Sequence, residues 1–92
     1  GRPMPDAAQL RQDVIDWLDD QIHFGEAATL IRDDEMSFLE NGILDSLGFV
    51  RLVVYLEERY RIVIDRKVLT RENFDSLGRI VRHVQERFAP GT

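Results

Sequence analysis

Apolar residues recur at helical spacing in three stretches of this sequence, and that pattern limits the fold more than any other feature. The stretches cover residues 6–24, 46–60 and 76–88. Each places apolar side chains three or four positions apart, which lines them along one face of an α-helix. Residues 61–65 alternate like a strand, but no other segment could pair with them, and a lone strand leaves its backbone hydrogen bonds unmade. The sequence therefore predicts an all-α fold with an extended connector at 61–65.

The predicted helices have identifiable ends and core faces. Asp6 with Gln9 three residues later is typical of a capping box, Gly25 is a plausible stop, and Asp13 is predicted on the polar side of the first helix. The second helix is predicted to turn Gly48, Arg51, Tyr55, Glu58 and Arg59 to solvent, with Leu47 and Val54 at the margin. The predicted core faces are Leu10, Val14, Trp17, Leu18 and Ile22 in the first helix; Phe49, Val53, Leu56 and Tyr60, widened by Val50 and Leu52, in the second; and Leu77, Ile80, Val81, Val84 and Phe88 in the last.

Residues 26–45 show no sustained period. They mix acidic residues with large apolar side chains such as Phe38, Ile43 and Leu44. Loops of this length within a small domain are usually functional or disordered, and this one is too apolar for disorder. We predict a long ordered loop pinned to the core, with one helical turn around residues 34–40. A further short turn at 70–74, with Thr70 as its cap, completes a fold of three long helices and one short one.

Size and charge exclude several classes of function. A chain of 92 residues forms one small domain, too short for an enzyme with a deep cleft. It has no cysteine, which excludes disulfides, thiolate metal sites and cysteine nucleophiles. A net charge of −5 disfavours binding to nucleic acid or to anionic membranes. We expect a cytoplasmic domain over residues 5–89, preceded at 1–4 by a cloning scar and start and followed by a tail at 90–92.

The tetrapeptide Asp-Ser-Leu-Gly occurs twice, at residues 45–48 and 75–78. Both copies are explained as helix starts, since Asp and Ser are preferred N-cap residues and Leu is the first core anchor. For the second copy, with Asp75 or Ser76 as the cap, that explanation suffices. The first copy follows an Asn41–Gly42 turn, which would leave Ser46 exposed where helical N–H groups favour an anion. Ser46 is therefore the candidate carrier of a covalent phosphoester.

Residues 38–48 resemble the phosphopantetheine attachment site of acyl carrier proteins. The core of that site is Asp-Ser-Leu, with the serine at the start of the second helix of the family. The resemblance continues through residues 52–53, 56–58, 60–62 and 72–77, so it covers nearly all of residues 10–88. It implies a four-helix bundle of the acyl-carrier type, with a long loop between the first and second helices.

The resemblance also implies a function in transport. Ser46 would receive 4′-phosphopantetheine from a phosphopantetheinyl transferase that uses coenzyme A and Mg²⁺, and the thiol of the arm would hold an acyl or aminoacyl group as a thioester. Asp45 would contact the transferase or its metal, and Leu47 would be a hydrophobic contact. Such a protein is not an enzyme: its partners are an adenylating or acyl-transferring loading enzyme and downstream synthase or tailoring enzymes. The arm raises the local concentration of its cargo at each docked partner.

The sequence departs from the fatty-acid branch of the family. Gly48 and Arg51 stand at positions that are often acidic there, so the chain looks more like free-standing carriers of polyketide, nonribosomal peptide or related aminoacyl pathways. Residues 1–45 carry a net charge of −8 and residues 46–92 a net charge of +3, and a partner would have to match both. We expect a monomer whose partners dock on the face of the second helix formed by Leu47, Arg51, Val54, Tyr55 and Glu58.

Two functions from different classes remain open. The first is the modified carrier; the second is a carrier-like helical interaction domain that acts only by binding. The intact run at 45–47 favours the first. An enzyme is less well supported, because His23 and His83 lie on separate helices and form no catalytic or metal-binding spacing. The acids at 33–35 lack the spaced ligands of a calcium loop and are expected to be solvated.

Overall fold

Every regular element within residues 6–88, the part of the chain that the computed structural model describes, is helical. This confirms the all-α prediction for those residues, with the three long helices close to their predicted positions. The cloning scar expected at 1–4 and the tail expected at 90–92 fall outside the described residues. The helices are α1 (Ala7–Leu18, continued by a π-helical turn over Asp19–His23), α2 (Ala27–Leu30), α3 (Ser46–Tyr60), α4 (Arg71–Phe74, preceded by a 3-10 turn at Arg66–Val68) and α5 (Leu77–Phe88).

No helix in residues 6–88 is both long and apolar enough to cross a bilayer. The long helices pack their predicted faces around one core instead, with α5 against both α1 and α4. The fully buried side chains of these faces are Leu10, Val14 and Leu18 of α1, Leu52, Val53 and Leu56 of α3, and Leu77, Ile80 and Val84 of α5. Full burial of each such side chain stabilises the fold by about 1.5–3 kcal/mol. The prediction for Phe88 concerns a side chain outside the described part of the structure.

The first helix starts and stops at the predicted residues. Asp6 accepts a hydrogen bond from the backbone N–H of Gln9 at 2.7 Å, as an N-cap should. The Gln9 amide donates to Asp13 at 2.7 Å rather than returning to Asp6, so only half of the capping box forms. At the other end, Phe24 and Gly25 both take positive φ angles, 49° and 96°, which end the helical turn.

The helical turn of the long loop lies earlier than predicted. It forms at Ala27–Leu30, not around residues 34–40, because the Asp19 carboxylate accepts the Ala27 N–H at 2.7 Å and caps the turn. Around residues 34–40 the backbone forms only isolated turns: the Met36 N–H donates to the carbonyl of Asp33, and the Asn41 N–H to that of Ser37. The Phe38 N–H donates instead to the distant carbonyl of Asp75, at 2.8 Å. Phe38 itself is fully buried, so the loop is pinned to the core as predicted.

Near its start, α3 has two residues, Val50 and Gly48, that face differently from prediction. Val50 was expected to widen the buried stripe, but it is 40% exposed, because it lies beside an open groove next to the start of α3. Gly48 was expected to face solvent, but it is buried against Leu44. A Cβ at Gly48 would lie 2.8 Å from the Leu44 side chain, so glycine lets the loop approach the helix closely here. The marginal positions Leu47 and Val54 are exposed.

Asp13 is buried, although it was predicted on the polar side of α1. The hydroxyl of Tyr60, from the last turn of α3, donates a hydrogen bond to its carboxylate. The Arg59 guanidinium lies 3.6 Å from the same carboxylate. A buried phenol needs an acceptor, and Asp13 supplies it across the α1–α3 contact. Burial, followed by the hydrogen bond and charge of Asp13, raises the pKa of Tyr60.

Two of the three acids at 33–35, predicted to be solvated, form ion pairs with two helices. Asp34 accepts hydrogen bonds from Nε and Nη2 of Arg11 in α1, and Glu35 pairs with Arg82 of α5 at 3.0 Å. The Gly78 N–H donates to the carbonyl of Asp34 at 2.7 Å. These contacts fasten the loop across the α1–α5 pair. The pairs remain about half exposed, so each contributes only modestly to stability.

The connector after α3 forms no strand over residues 62–65, as predicted, and its backbone is not left unpaired. Arg61 adopts a left-handed conformation with φ 54° and ends α3. Glu57 then turns back to accept the Ile64 N–H at 2.9 Å and pairs with Arg66 at 3.2 Å. The Glu57 carboxylate of α3 therefore accepts a backbone hydrogen bond of the connector that a neighbouring strand would otherwise accept. Thr70 caps α4 by position, without a side-chain hydrogen bond.

Candidate functional site

The two copies of the repeated tetrapeptide differ most in burial. Ser46 is the first residue of α3 and is exposed, whereas Ser76, just before α5, is only 1% exposed. Leu47 is 68% exposed, and its counterpart Leu77 is fully buried. The same four residues therefore form an open helix start in one place and part of the core in the other.

In the first copy of the tetrapeptide, Asp45 caps α3 and leaves the hydroxyl of Ser46 unused. The Asp45 carboxylate accepts the Gly48 N–H at 2.7 Å and caps α3. Because Asp45 fills that role, the hydroxyl of Ser46 is not needed for capping, and it makes no hydrogen bond to any residue in 6–88. Ser46 thus presents an open hydroxyl at the positive end of a helix of 15 residues.

The segment leading into Ser46 is held rigidly. Gly42 takes φ 67°, which confirms the predicted turn. Ile43 and Leu44 are 2% and 3% exposed, and the Nε2–H of His23 donates to the carbonyl of Ile43 at 2.8 Å. Buried side chains on the residues before the cap fix the direction in which α3 starts, and hence the direction of the Ser46 hydroxyl.

The second copy is an anchor for the long loop. Asp75, 3% exposed, accepts hydrogen bonds from the Ser37 hydroxyl at 2.6 Å, the Leu39 N–H at 2.9 Å and the Arg71 guanidinium at 3.1 Å. Burial by itself would raise the pKa of Asp75, but these hydrogen bonds together outweigh it and lower the pKa. The Ser76 hydroxyl accepts the Arg79 N–H at 3.2 Å, which confirms Ser76 as the predicted cap. Sequence reasoning found the cap and missed the anchor, because nothing near Asp75 in the sequence signals a contact with Ser37.

An open groove of about 290 Å³ borders Ser46. Leu39 comes from the long loop, Phe49 and Val50 from α3, and Leu69 from the segment before α4. Arg71, at the start of α4, is the one charged residue among the described residues that line it. The groove is therefore apolar along its length, with a single cation on its wall.

The predicted docking residues fall in two neighbouring grooves. Arg51, Val54, Tyr55 and Glu58 line an open groove of about 530 Å³ between α1 and α3, together with Trp17 and the acids Asp16 and Asp20. Asp45 and Leu47 line a second groove of about 480 Å³, with Phe24, which is 84% exposed. Arg51 contributes to both. The structure thus distributes all six residues over two grooves that share Arg51, whereas Ser46 itself lines a third groove, with Leu39, Phe49 and Val50.

Tyr55 does not project outward as predicted. It is half-buried, because its ring stacks on that of Trp17 at a centroid distance of 6.0 Å. Burial, followed by the charge of Asp13, raises the pKa of Tyr55. Arg51 lies 5.9 Å from the centre of the Trp17 ring and donates to the Gln21 amide oxygen at 3.0 Å. Trp17 and Tyr55 therefore bring a stacked aromatic pair to the lining of the α1–α3 groove, which also contains charged side chains.

The described residues offer no metal cluster, and neither His23 nor His83 hydrogen-bonds to Ser46. No group of three His, Asp or Glu side chains within 6–88 could hold a metal ion. His83 packs on the ring of Phe74 at 4.9 Å, and burial lowers its pKa. His23 is occupied by the Ile43 carbonyl. Both histidines are half-buried, and the buried Nε2 of His83 has no hydrogen-bond partner among the described residues. The open serine fits an acceptor that another enzyme modifies.

The site fits a covalent phosphopantetheine group on three observations. The Ser46 hydroxyl is exposed and unbonded within the described chain, it stands at the N-terminus of a long helix, and a groove with one cation begins beside it. A phosphodiester at this position would find favourable helical N–H groups, and the attached chain would find an apolar wall.

Comparisons with curated proteins point the same way, although no protein-family model matches the chain. The D-alanyl carrier protein of Streptococcus uberis is 35% identical over 63 residues, covering 68% of this chain and 77% of the relative. That of Abiotrophia defectiva is 33% identical over 61 residues, covering 65% and 77%. That of Lactococcus lactis subsp. cremoris is 31% identical over 75 residues, covering 82% and 87%. These relatives are named for an aminoacyl group, and they lend no support to a polyketide or nonribosomal peptide pathway.

Proposed function

This chain belongs to the family of phosphopantetheine-dependent carrier proteins, and on that premise we propose that it carries an aminoacyl group on an arm attached to Ser46. The observation that carries the proposal is the contrast between the two Asp-Ser-Leu-Gly copies: Ser46 is open and unbonded within the described residues, whereas Ser76 is buried and caps α5. Only the first offers a hydroxyl that a transferase can reach. The bundle arrangement of the acyl-carrier type is part of the same proposal.

The residues of the chain then have separate tasks. Ser46 is the attachment point, Asp45 holds the start of α3 in place, and the groove lined by Leu39, Phe49 and Val50 lies beside the arm. The arm, when attached, supplies a terminal thiol that holds the cargo as a thioester. The protein presents this cargo and leaves the chemistry to its partners, because a tethered group reaches a docked enzyme at high local concentration.

We propose D-alanine as the first cargo to test. The support is the names of the relatives, which are D-alanyl carrier proteins at 31–35% identity. The chain itself adds a limited argument: its open groove beside Ser46 measures about 290 Å³, enough for part of an arm with a small amino acid. Polyketide and nonribosomal peptide cargoes, expected from the sequence, have no observation in their favour.

The partners we propose are a phosphopantetheinyl transferase, an adenylating enzyme that loads the amino acid, and an acceptor enzyme. They would dock around Ser46 on Leu47, Arg51, Val54, Tyr55 and Glu58, with Asp45 nearest the transferase. The support is that these residues line the two grooves that share Arg51. Mixed charge on a half-apolar surface suits brief, steered encounters. A cytoplasmic location and a monomeric state remain predictions.

A charging assay tests the cargo. The protein bearing the arm is incubated with ATP and a D-alanine-activating enzyme, with L-alanine and glycine in parallel, and the intact mass is recorded. We expect a D-alanyl adduct that hydroxylamine removes, as a thioester requires, and no adduct on Ser46→Ala. An armed protein that accepts none of these amino acids would overturn the aminoacyl proposal. A protein that never accepts the arm would instead be the carrier-like binding domain.

A further inference from the structure

Arg71 links the two copies of the tetrapeptide. Its side chain lines the groove that begins at Ser46, and its Nε donates to the Asp75 carboxylate of the second copy at 3.1 Å. Its Nη2 donates to the Ser37 hydroxyl at 3.3 Å and pairs with Glu40 at 3.2 Å. Its Nη1 makes no hydrogen bond to any residue within 6–88. One edge of the guanidinium is thus fixed, and the other is open.

The two carboxylates that hold Arg71 differ in exposure. The Asp75 side chain is 3% exposed, and it is also bound by Ser37 and by the Leu39 N–H. The Glu40 side chain is 69% exposed and would be well hydrated if released. Losing an exposed ion pair costs little, whereas leaving a buried carboxylate unpaired costs much more. Arg71 can therefore exchange Glu40 for another anion while Asp75 keeps it in place.

Resting on the function proposed above, we propose that Arg71 binds the phosphodiester of the arm on Ser46, giving up Glu40 and retaining Asp75. A guanidinium donates charge-assisted hydrogen bonds to phosphate oxygens in a planar fork, which suits an open Nη edge. Within the described lining of the groove, Arg71 is the one charged side chain, so the phosphodiester has no competing cation there. Attachment of the arm would in this way release Glu40 at the rim of the site.

The test uses ³¹P NMR of the armed protein, with intact mass confirming the arm. In Arg71→Gln we expect the phosphodiester resonance to shift from its wild-type position, and in wild type added salt should move it the same way, because salt weakens the contact. Arg71→Lys should restore part of the shift. Arg82→Gln is the matched control: it also removes an exposed Arg–Glu pair, at 3.0 Å, but lies outside the groove. Its resonance should coincide with that of wild type.

Glu40→Gln keeps the test decisive if Arg71→Gln fails to fold. It removes the competing carboxylate and leaves Arg71 and Asp75 intact, so the resonance should shift in the direction opposite to that caused by salt. A phosphodiester resonance that is identical in wild type, Glu40→Gln and Arg71→Gln, at low and high salt, would overturn the role of Arg71 while leaving the carrier function standing. If no arm can be attached to wild type, the proposed function fails, and the role of Arg71 falls with it.

Discussion

The hydroxyl of Ser37 donates a hydrogen bond of 2.6 Å to the carboxylate of Asp75, although the two residues lie 38 positions apart. The bond joins the middle of the long loop to the start of the last helix. Together with the Leu39 N–H, which Asp75 also accepts, it fixes the loop where Leu39 lines the groove beside Ser46. The second copy of the tetrapeptide thus helps to build the site that the first copy presents.

Asp75→Ala is expected to destabilise the protein by about 2–4 kcal/mol, because it leaves the half-buried Ser37 hydroxyl and the Leu39 N–H without their acceptor. Urea unfolding monitored by circular dichroism measures the loss. Asp65→Ala is the control, since Asp65 accepts a similar bond, from the Lys67 N–H at 2.8 Å, on the surface. Equal losses in the two variants would show that Asp75 is not an anchor.

The same carboxylate predicts an acid limb of stability. Because hydrogen bonds lower the pKa of Asp75 in the folded state, its stabilisation is complete above its ordinary pKa of about 3.9 and is lost as the pH falls through the lower folded value. The unfolding free energy of wild type should therefore fall steeply below about pH 4. In Asp75→Asn this part of the fall should be missing.

Removal of the N-cap of α1, Asp6, or of α3, Asp45, should lower the free energy of unfolding by a similar amount, but only the loss of Asp45 should slow attachment of the arm. Asp45→Ala and Asp6→Ala each delete an N-cap bond of 2.7 Å, and each should destabilise by about 1 kcal/mol. If Ser46 carries the arm as proposed, only Asp45→Ala should slow its attachment, because only Asp45 adjoins Ser46. Denaturant melts and transferase kinetics on the two variants separate the effects. Equal slowing in both would reduce the role of Asp45 to helix stability.

The α1–α3 groove is expected to receive the loading enzyme. Val54→Asp should raise the KM for loading about tenfold, equivalent to roughly 1.4 kcal/mol, by placing a charge at the apolar centre of the groove. Arg51→Glu should act in the same direction. Val63→Asp is the control, because Val63 is a more exposed valine, at 76%, on the connector beyond α3. Loading that is unchanged in both groove variants would place the docking surface elsewhere.

His83 predicts a second, separate pH effect. Burial against Phe74 lowers its pKa, and although the charge of Glu86 works against this shift, burial is the larger influence. A histidine whose folded pKa is lowered contributes fully above its unfolded pKa of about 6.5, and stability falls as the pH drops below that value. Unfolding free energies measured between about pH 7.5 and 5 should fall in wild type and stay level in His83→Gln. If the unfolding free energy of wild type and that of His83→Gln changed in parallel over this pH range, the prediction would be contradicted.

Local sequence determined much of the fold. The helix Ser46–Tyr60 forms between its predicted ends, because a continuous apolar period is bounded by the Asp45 cap and by the left-handed Arg61. The errors arose where partners are distant. Asp13 is buried because Tyr60, 47 positions later, donates to it. Asp34 and Glu35, predicted to be solvated, are paired because Arg11 and Arg82 reach the loop from two helices.

The site was predictable to the same degree. Asp45 and Ser46 could be located from a four-residue motif and a preceding turn, since capping is a local property. The groove could not, because Leu39, Phe49 and Arg71 come from three separate segments. The burial of Tyr55 was missed for a related reason. Its position on α3 would face solvent on an isolated helix, and it is half-buried only because the ring of Trp17 in α1 stacks on it.

The central claim is that Ser46, and not its sequence twin Ser76, carries the arm. The most direct test incubates wild type, Ser46→Ala and Ser76→Ala with coenzyme A, Mg²⁺ and a broad-specificity phosphopantetheinyl transferase, followed by intact mass and peptide mapping. Circular dichroism confirms that both variants are folded. We predict one phosphopantetheine on wild type and on Ser76→Ala, and none on Ser46→Ala. An adduct that persists in Ser46→Ala and disappears in Ser76→Ala, or its absence from wild type with every such transferase, would contradict the claim.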